Sequence, residues 1–311
     1  MTKNVLIALW SHRSDWCYGT KAPAIVPGLE YMLQQTASTL QNLPNTVETQ
    51  NAFQAILVAP EYLFVGQRST RRRAAMRESS KDRLVSSLQS LSKAHPNILI
   101  IAGTAFWRED LDTVEKQDRY NANALGAYLK TRHFGRDTKL TRREAVVLNG
   151  RTNPDTGKTI PGLGDLIGKT PEYRAYNTMF AFLGGDLAFK YNKACDFYET
   201  DGANPEKITY IPGLSGGVRE VANFTFGVEI CFDHGNNTLR GKKADFHIVV
   251  SDSTDTYPEQ NIGTYLLHAS TDYKETGVWQ SGSGNRLPAV NNMVPNNNTL
   301  TYWLCPIAAR P

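Results

Sequence analysis

Apolar stretches of strand length recur along the chain: Val5 to Trp10, Ala55 to Ala59, Ile98 to Ala102, Met179 to Leu183, Phe224 to Ile230, and Phe246 to Val250 with His247 inside it. Between the first three lie segments compatible with helix, Pro27 to Leu43 and Ser80 to Ala94. The second carries Leu84, Val85, Leu88 and Leu91 at helical spacing. Strand and helix alternate, so the pattern predicts an α/β fold. Residues Tyr176 to Lys193 read as two strands joined at Gly-Gly-Asp, which puts Lys193 just past a strand end. Thr299 to Cys305 predicts one more strand near the end of the chain.

The rhythm breaks between about 108 and 175, where charges, glycines and turn signals such as NPDTGK replace apolar runs. That stretch reads as an insertion in a single domain spanning 1–311. A content of 41% hydrophobic residues is enough to build one large core. The formal net charge of +4 is too small for a dedicated nucleic-acid binder, so a polyanion partner needs local support. The one local candidate is RSTRRRAAMRESSKDR at 68–83, which reads first as a solvated helix face or loop and second as an anion-recognition patch. The apolar run at the N-terminus stops at Ser11 and His12, too short to span a bilayer, so no membrane segment is expected. Cys17, Cys195, Cys231 and Cys305 are scattered without a C-x-x-C pair. Their spacing favours reduced thiols in a cytoplasmic protein over a disulfide framework or a zinc site.

Three of the apolar runs end in residues that carry chemistry: ILVAPEYLF with Glu61, AFKYNKACDF with Lys193, and FGVEICFDHG with Cys231. A cysteine attacks as its thiolate, so it needs a base to take the proton and donors for the oxyanion it creates. Taken alone, Cys231 is a buried structural thiol and Glu61 and Lys193 are surface charges. Their shared position at strand ends, where open α/β folds place their sites, favours the chemical reading. Cys195 reads as pocket lining or packing, Cys17 and Cys305 as structural. Glu229, inside an otherwise apolar strand, calls for a hydrogen-bonded partner or an edge position.

In chain order, Pro60-Glu61, Tyr191-Asn192-Lys193 and Gly227-Val228-Glu229-Ile230-Cys231-Phe232-Asp233 resemble the three signatures of the nitrilase superfamily of carbon-nitrogen hydrolases. Asn177 before the hairpin and Pro212-Gly213 before the cysteine strand extend the likeness. The resemblance implies a four-layer αββα sandwich, commonly assembled as a homodimer or larger homo-oligomer. It further implies Cys231 as nucleophile, Glu61 as general base, and Lys193 with the backbone N–H of Phe232 as oxyanion donors. Glu206 falls where many members carry a supporting glutamate, and Asp233 and His234 follow the nucleophile as candidate substrate contacts. The substrate implied is a small-molecule amide or nitrile, with no cofactor and no metal.

Two departures bear on function. The insertion should lie at the rim of the site as a lid, a partner surface or an oligomer contact. After the nucleophile, Phe232-Asp233 stands nearer the amidase branches than the Cys-Trp-Glu of nitrilases proper. The sequence therefore favours cleavage of an amide to acid plus ammonia or amine through a thioester. A nitrilase, an N-carbamoyl hydrolase and an amide-nitrogen transferase remain as alternatives on the same triad. A non-catalytic binding protein on this scaffold is the alternative of another class.

Overall fold

The computed structural model describes residues 3–12, 22–43, 47–49, 51–66, 74–110, 151–152, 159–160, 173–195, 208–213, 217–282, 284–293 and 299–307. Each predicted apolar run is a strand: β1 (Lys3–Ser11), β2 (Ala55–Val58), β4 (Ile98–Asp110), β7 (Tyr173–Leu183), β11 (Phe224–Ile230), β12 (Phe246–Ser251) and β16 (Thr299–Ile307). Shorter strands join them: β3 (Met76–Arg77), β5 (Arg151–Thr152), β6 (Thr159–Ile160), β8 (Asp186–Asn192), β9 (Ile208–Tyr210), β10 (Val218–Val221), β13 (Tyr265–Ser270), β14 (Gly277–Gln280) and β15 (Asn291–Met293). Two long helices, α1 (Ala22–Gln41) and α2 (Glu78–Ala94), occupy the two predicted helical segments.

The strands form two mixed sheets. The first runs β15-β16-β1-β2-β4-β7-β8, with β3 on β4 and β9 on β7; the second runs β10-β11-β12-β13-β14. Period-two alternation sorts the side chains of β1 and β2 between two cores. Val5, Ile7, Leu9, Ile56 and Val58 face the second sheet, where they meet Phe226, Val228, Ile230, Ile248, Val250 and Leu267. Leu6, Ala8, Trp10, Ala55 and Leu57 face the helices, where they meet Leu29, Leu33, Leu84 and Leu88. Hydrogen bonds also cross between the sheets: Ser11 Oγ donates to Ser270 O at 2.8 Å, and Tyr265 OH donates to Pro306 O at 3.0 Å.

Among the described residues no long helix is seen against the second sheet. On the second sheet the inward positions are apolar, but the outward ones are Glu229, His247, Val249, Ser251, Leu266, His268 and Trp279. The polar ones among them are bonded by the short helix α3 (Phe232–Gly235) and by residues of the segments 236–245 and 252–264: His234, Thr238 and Leu239 on Glu229, Ile262 on His247, and Thr256 on His268. Those segments, NNTLRGKKAD and DSTDTYPEQNIGT, are rich in turn-forming residues and lack a 3.6-residue apolar period. Among the described residues, loop segments therefore partner the polar side chains of this face.

The strands on either side of the expected insertion reach into its bounds. The β4/β7 ladder continues to Asp110↔Tyr173, so residues 108–110 and 173–175 belong to the sheet. Trp107 stacks on Tyr176 at 4.5 Å, and Arg174 pairs with Glu109 at 2.5 Å. This stem runs directly into Asn177 and Thr178. Within the interval, β5 and β6 pair antiparallel on either side of 153–158. Its remaining residues lie outside the described ones, as do Cys17, Glu206 and the 68–73 part of the basic run. The described remainder of that run enters α2, where Asp82 and Arg83 are exposed and Lys81 lies 4.4 Å over the Trp107 ring.

Candidate active site

Glu61 follows β2 directly, and two backbone features place it. Tyr62 takes a positive φ of 55°, and its N–H donates to Thr104 Oγ1 at 2.9 Å. Gly103, with φ +66°, lets β4 bulge past the Pro60 carbonyl, which a β-carbon at this position would strike. The Glu61 carboxylate is fully buried and accepts from donors on three elements. Lys193 Nζ and Asn177 Nδ2 each reach Oε1 at 2.9 Å, and the Asp252 N–H reaches Oε2 at 3.0 Å. All three are donors, the arrangement that suits an ionised carboxylate beside an ammonium.

Lys193 sits just past β8, as the hairpin reading predicted. Leu183 pairs with Asp186 across Gly184-Gly185, both with positive φ, so the turn fixes the register that ends at Asn192. The lysine is 1% exposed, and its backbone is held as firmly as its side chain. The Lys193 carbonyl accepts from Tyr210 OH at 2.6 Å and from the Gly213 N–H at 2.8 Å. A β-carbon at Gly213 would collide with Asn192 O, so the Pro212-Gly213 pair lets one chain pass against the other.

Cys231 stands where β11 ends and α3 begins, with φ 49° and ψ −104°, a conformation that costs a non-glycine residue about 1–3 kcal/mol. Its N–H donates to Val250 O at 2.8 Å, and its Sγ lies 2.8 Å from Thr254 Oγ1. Burial pushes the thiol up to about 12, and Glu61 adds to this; Lys193, the Thr254 hydroxyl and the Asp252 backbone pull the other way. The resting residue is therefore a thiol that needs a base at the moment of attack. Phe232, next in the chain, opens α3.

Asp233 and His234, expected to face a substrate, are instead fully buried and bonded to protein. Asp233 Oδ2 accepts from Tyr191 OH at 3.0 Å and from the N–H groups of Ala194 and Ile230 at 3.1 and 3.3 Å. Its Oδ1 accepts from the Cys195 N–H at 2.7 Å. Burial pushes its carboxyl up to about 7 against the pull of Lys193 and of these N–H groups. Asp233 thus ties the segment after Lys193 to the turn that carries Cys231. Cys195 takes part in this link through its backbone N–H.

His234 points away from Cys231, toward Glu229. Glu229 Oε2 meets His234 Nδ1 at 2.7 Å and His247 Nε2 at 3.0 Å, while Oε1 accepts from Thr238 Oγ1 at 2.8 Å and the Leu239 N–H at 3.2 Å. Burial alone would raise the Glu229 carboxyl, but the two histidine hydrogen bonds outweigh it and hold the group well below the carboxylate range. This is the partner that Glu229 required. The three ligand-type atoms lie within 4.8 Å of one another, the spacing of a metal site. However, the outer ring nitrogens accept from backbone, His234 Nε2 from the Tyr257 N–H at 3.2 Å and His247 Nδ1 from the Ile262 N–H at 3.5 Å. The inner nitrogens therefore carry the protons that bond Glu229, and the triangle is closed by hydrogen bonds rather than open to a cation.

No family model matches the chain, and no curated protein matches it in sequence. Solved structures do match in shape. An amidase from Nesterenkonia sp. aligns over 98% of this chain and 92% of its own, with a TM-score of 0.53 at 12% identity. A mutant of the amidase from Nesterenkonia sp. AN1 aligns over 98% of this chain and 91% of its own, with a TM-score of 0.52 at 12% identity; there the acetamide moiety of fluoroacetamide is covalently added at the active-site cysteine. A third structure, of another mutant of that amidase in complex with butyramide, has a TM-score of 0.53 at 12% identity over 98% of this chain and 92% of that one. The chain has the nitrilase-superfamily fold. Within that fold, strand ends and the turns that follow them carry Glu61, Lys193 and Cys231. Thr254 and the Asp252 N–H were invisible to motif reading, because the first lies in a polar loop and the second is backbone.

Proposed function

We propose that the protein is a cysteine-dependent hydrolase of non-peptide carbon-nitrogen bonds, with a small amide as substrate. The observation that carries this reading is the buried Glu61–Lys193 ion pair at 2.9 Å, whose two charges both act on the Cys231 thiol. In the first half-reaction Glu61 takes the thiol proton as sulfur bonds to the carbonyl carbon. The oxyanion is held by Lys193 and the Phe232 N–H. The protonated Glu61 then gives its proton to the leaving nitrogen, which departs as ammonia or amine and leaves a thioester. In the second half, Glu61 deprotonates a water that attacks the thioester, the acid leaves, and the proton returns to sulfur. Glu206, Asp233 and His234 need make no contact with the substrate in this scheme; Asp233 serves it by fixing Lys193 relative to Cys231.

The test is intact mass spectrometry of the protein mixed with primary amides, N-carbamoyl compounds and nitriles, together with an assay of released ammonia. An acyl adduct on Cys231 with turnover is expected from amides, with none in Cys231→Ala. Lys193→Met should lower kcat by about 10²–10³-fold, the cost of one oxyanion donor. Turnover that survives Cys231→Ala sinks the mechanism. A thiol that neither acylates nor alkylates with iodoacetamide would favour a non-catalytic scaffold.

A further inference from the structure

We infer that Thr254 is a catalytic residue, its hydroxyl being the partner that donates to the Cys231 sulfur whenever that sulfur carries negative charge. The inference rests on Cys231 being the nucleophile. Its first support is contact, Oγ1 lying 2.8 Å from Sγ. A threonine hydroxyl has one proton and two lone pairs, so it can accept from the resting S–H and, after a rotation, donate to the thiolate. Such a donor is useful here because the thiol is buried, raised by that burial, and raised further by the carboxylate that must deprotonate it.

The second support is the construction of the loop, which delivers Thr254 together with the general base. Two residues before Thr254, the Asp252 N–H donates to Glu61 Oε2 at 3.0 Å, so one short segment holds both partners of the proton transfer. That segment is clamped from behind. His268 bonds Ser251 Oγ through Nε2 at 2.7 Å and Thr256 Oγ1 through Nδ1 at 2.6 Å, bracketing 252–255. The Thr256 N–H donates to Glu275 Oε2 at 2.9 Å, and the Tyr257 N–H donates to His234 at 3.2 Å. Thr271 Oγ1 donates to the Asp252 carbonyl. A hydroxyl on a loop fixed at this many points is preorganised, which is the condition for a hydrogen bond to lower a barrier without reorganisation.

The step balances without a further reactant. As the S–C bond forms, the thiol proton passes to Glu61 and the hydroxyl donates to the sulfur. In the thioester the sulfur is neutral and a poor acceptor. When the acid leaves, the S–C bond breaks, the sulfur regains its electron pair, and Thr254 donates again. The residue therefore acts in both halves, on kcat more than on KM.

The experiment compares wild type, Thr254→Val, Thr254→Ala and Thr254→Ser in two assays: the pH dependence of Cys231 alkylation by iodoacetamide, and kcat and KM on the amide that acylates wild type. Thr254→Val and Thr254→Ala should lower the alkylation rate across the pH range in which the protein stays folded and lower kcat about ten- to hundredfold with KM little changed, as expected for a hydrogen bond to a charged group. Thr254→Ser should restore both. If the folded Val and Ala variants alkylate at the wild-type rate across that range, the inference is overturned. The alkylation assay needs no amide, so it separates the two readings: a lowered rate in variants of a protein that acylates with nothing upholds Thr254 at the sulfur while removing the amide hydrolase.

Discussion

At Gly103 the backbone turns through φ +66° beneath the Pro60 carbonyl, and the position of Glu61 depends on that turn. A β-carbon there meets backbone oxygen rather than a flexible side-chain end, so neither partner can yield cheaply. Gly103→Ala should cost at least about 1–2 kcal/mol from the left-handed conformation alone. It should also displace Glu61 relative to Cys231, and a shift near 1 Å is expected to lower kcat about 10²-fold. Thermal unfolding and steady-state kinetics check the two effects separately; full activity in a destabilised variant would show that the bulge supports the fold but not the base. At Cys231 the same logic runs the other way. The residue holds φ 49° although it is not glycine, a cost that the proposed nucleophile would require. Cys231→Gly should therefore unfold at a higher temperature than Cys231→Ala, both being inactive, since glycine relieves the strain that alanine keeps.

On the second sheet, β11, β12 and β13 present Glu229, His247, Ser251 and His268 outward toward loop segments. Burial lowers His268 well below its ordinary value, with His234, His247 and Arg286 adding to the effect. Burial likewise lowers His247, against the pull of Glu229. A base depressed in the folded state contributes stability that is present above its unfolded value near 6.5 and is lost as pH falls, because the unfolded chain takes up protons that the folded one refuses. Stability should therefore decline from about pH 6.5 downward. His268→Gln should flatten that decline by about one proton, roughly 1.4 kcal/mol per pH unit, in urea titrations between pH 4.5 and 6.5. An unchanged slope would mean that His268 gains a proton in place. This face also marks where sequence reading stopped. Strands β1, β2 and the start of β4 were legible because both of their faces are apolar, and β11 and β12 were legible by their inward residues. Strand β13 went unread, as did the shorter β3, β9, β10, β14 and β15, and among the described residues the outward face is flanked by segments 236–245 and 252–264, whose turn-forming residues carry no apolar period. Glu61, Lys193 and Cys231 could be read because strand ends announce themselves in one dimension. Asp252 and Thr254 could not, since a backbone N–H and a loop hydroxyl acquire meaning only when the fold brings them to other segments.

Across the whole molecule, the three segments that carry the site belong to two sheets, so the site exists only where the sheets are packed together. Glu61 and Lys193 follow strands of the first sheet, and Cys231 follows a strand of the second. Between the sheets lies an aromatic cluster in which Phe226 stacks on Phe246 at 5.4 Å and approaches Phe53 and Phe189 at 6.1 and 6.4 Å. Phe226 is on β11, the strand that ends at Cys231, while Phe53 precedes β2, the strand that ends before Glu61. The same contact therefore joins the sheets and aligns the strand before Cys231 with the strand before Glu61. Phe226→Ala should cost about 3–5 kcal/mol through lost burial and the cavity left behind. Because the core is shared, that loss should fall on both sheets at once, giving far-ultraviolet circular dichroism and tryptophan fluorescence transitions that shift together. Trp10 and Trp303 on the first sheet and Trp279 on the second report from both sides. Separate transitions would show that the sheets fold independently and that the site is assembled by docking. A single earlier transition, with kcat reduced in the variant while it is still folded, would tie inter-sheet packing directly to the geometry of the Glu61, Lys193 and Cys231 site.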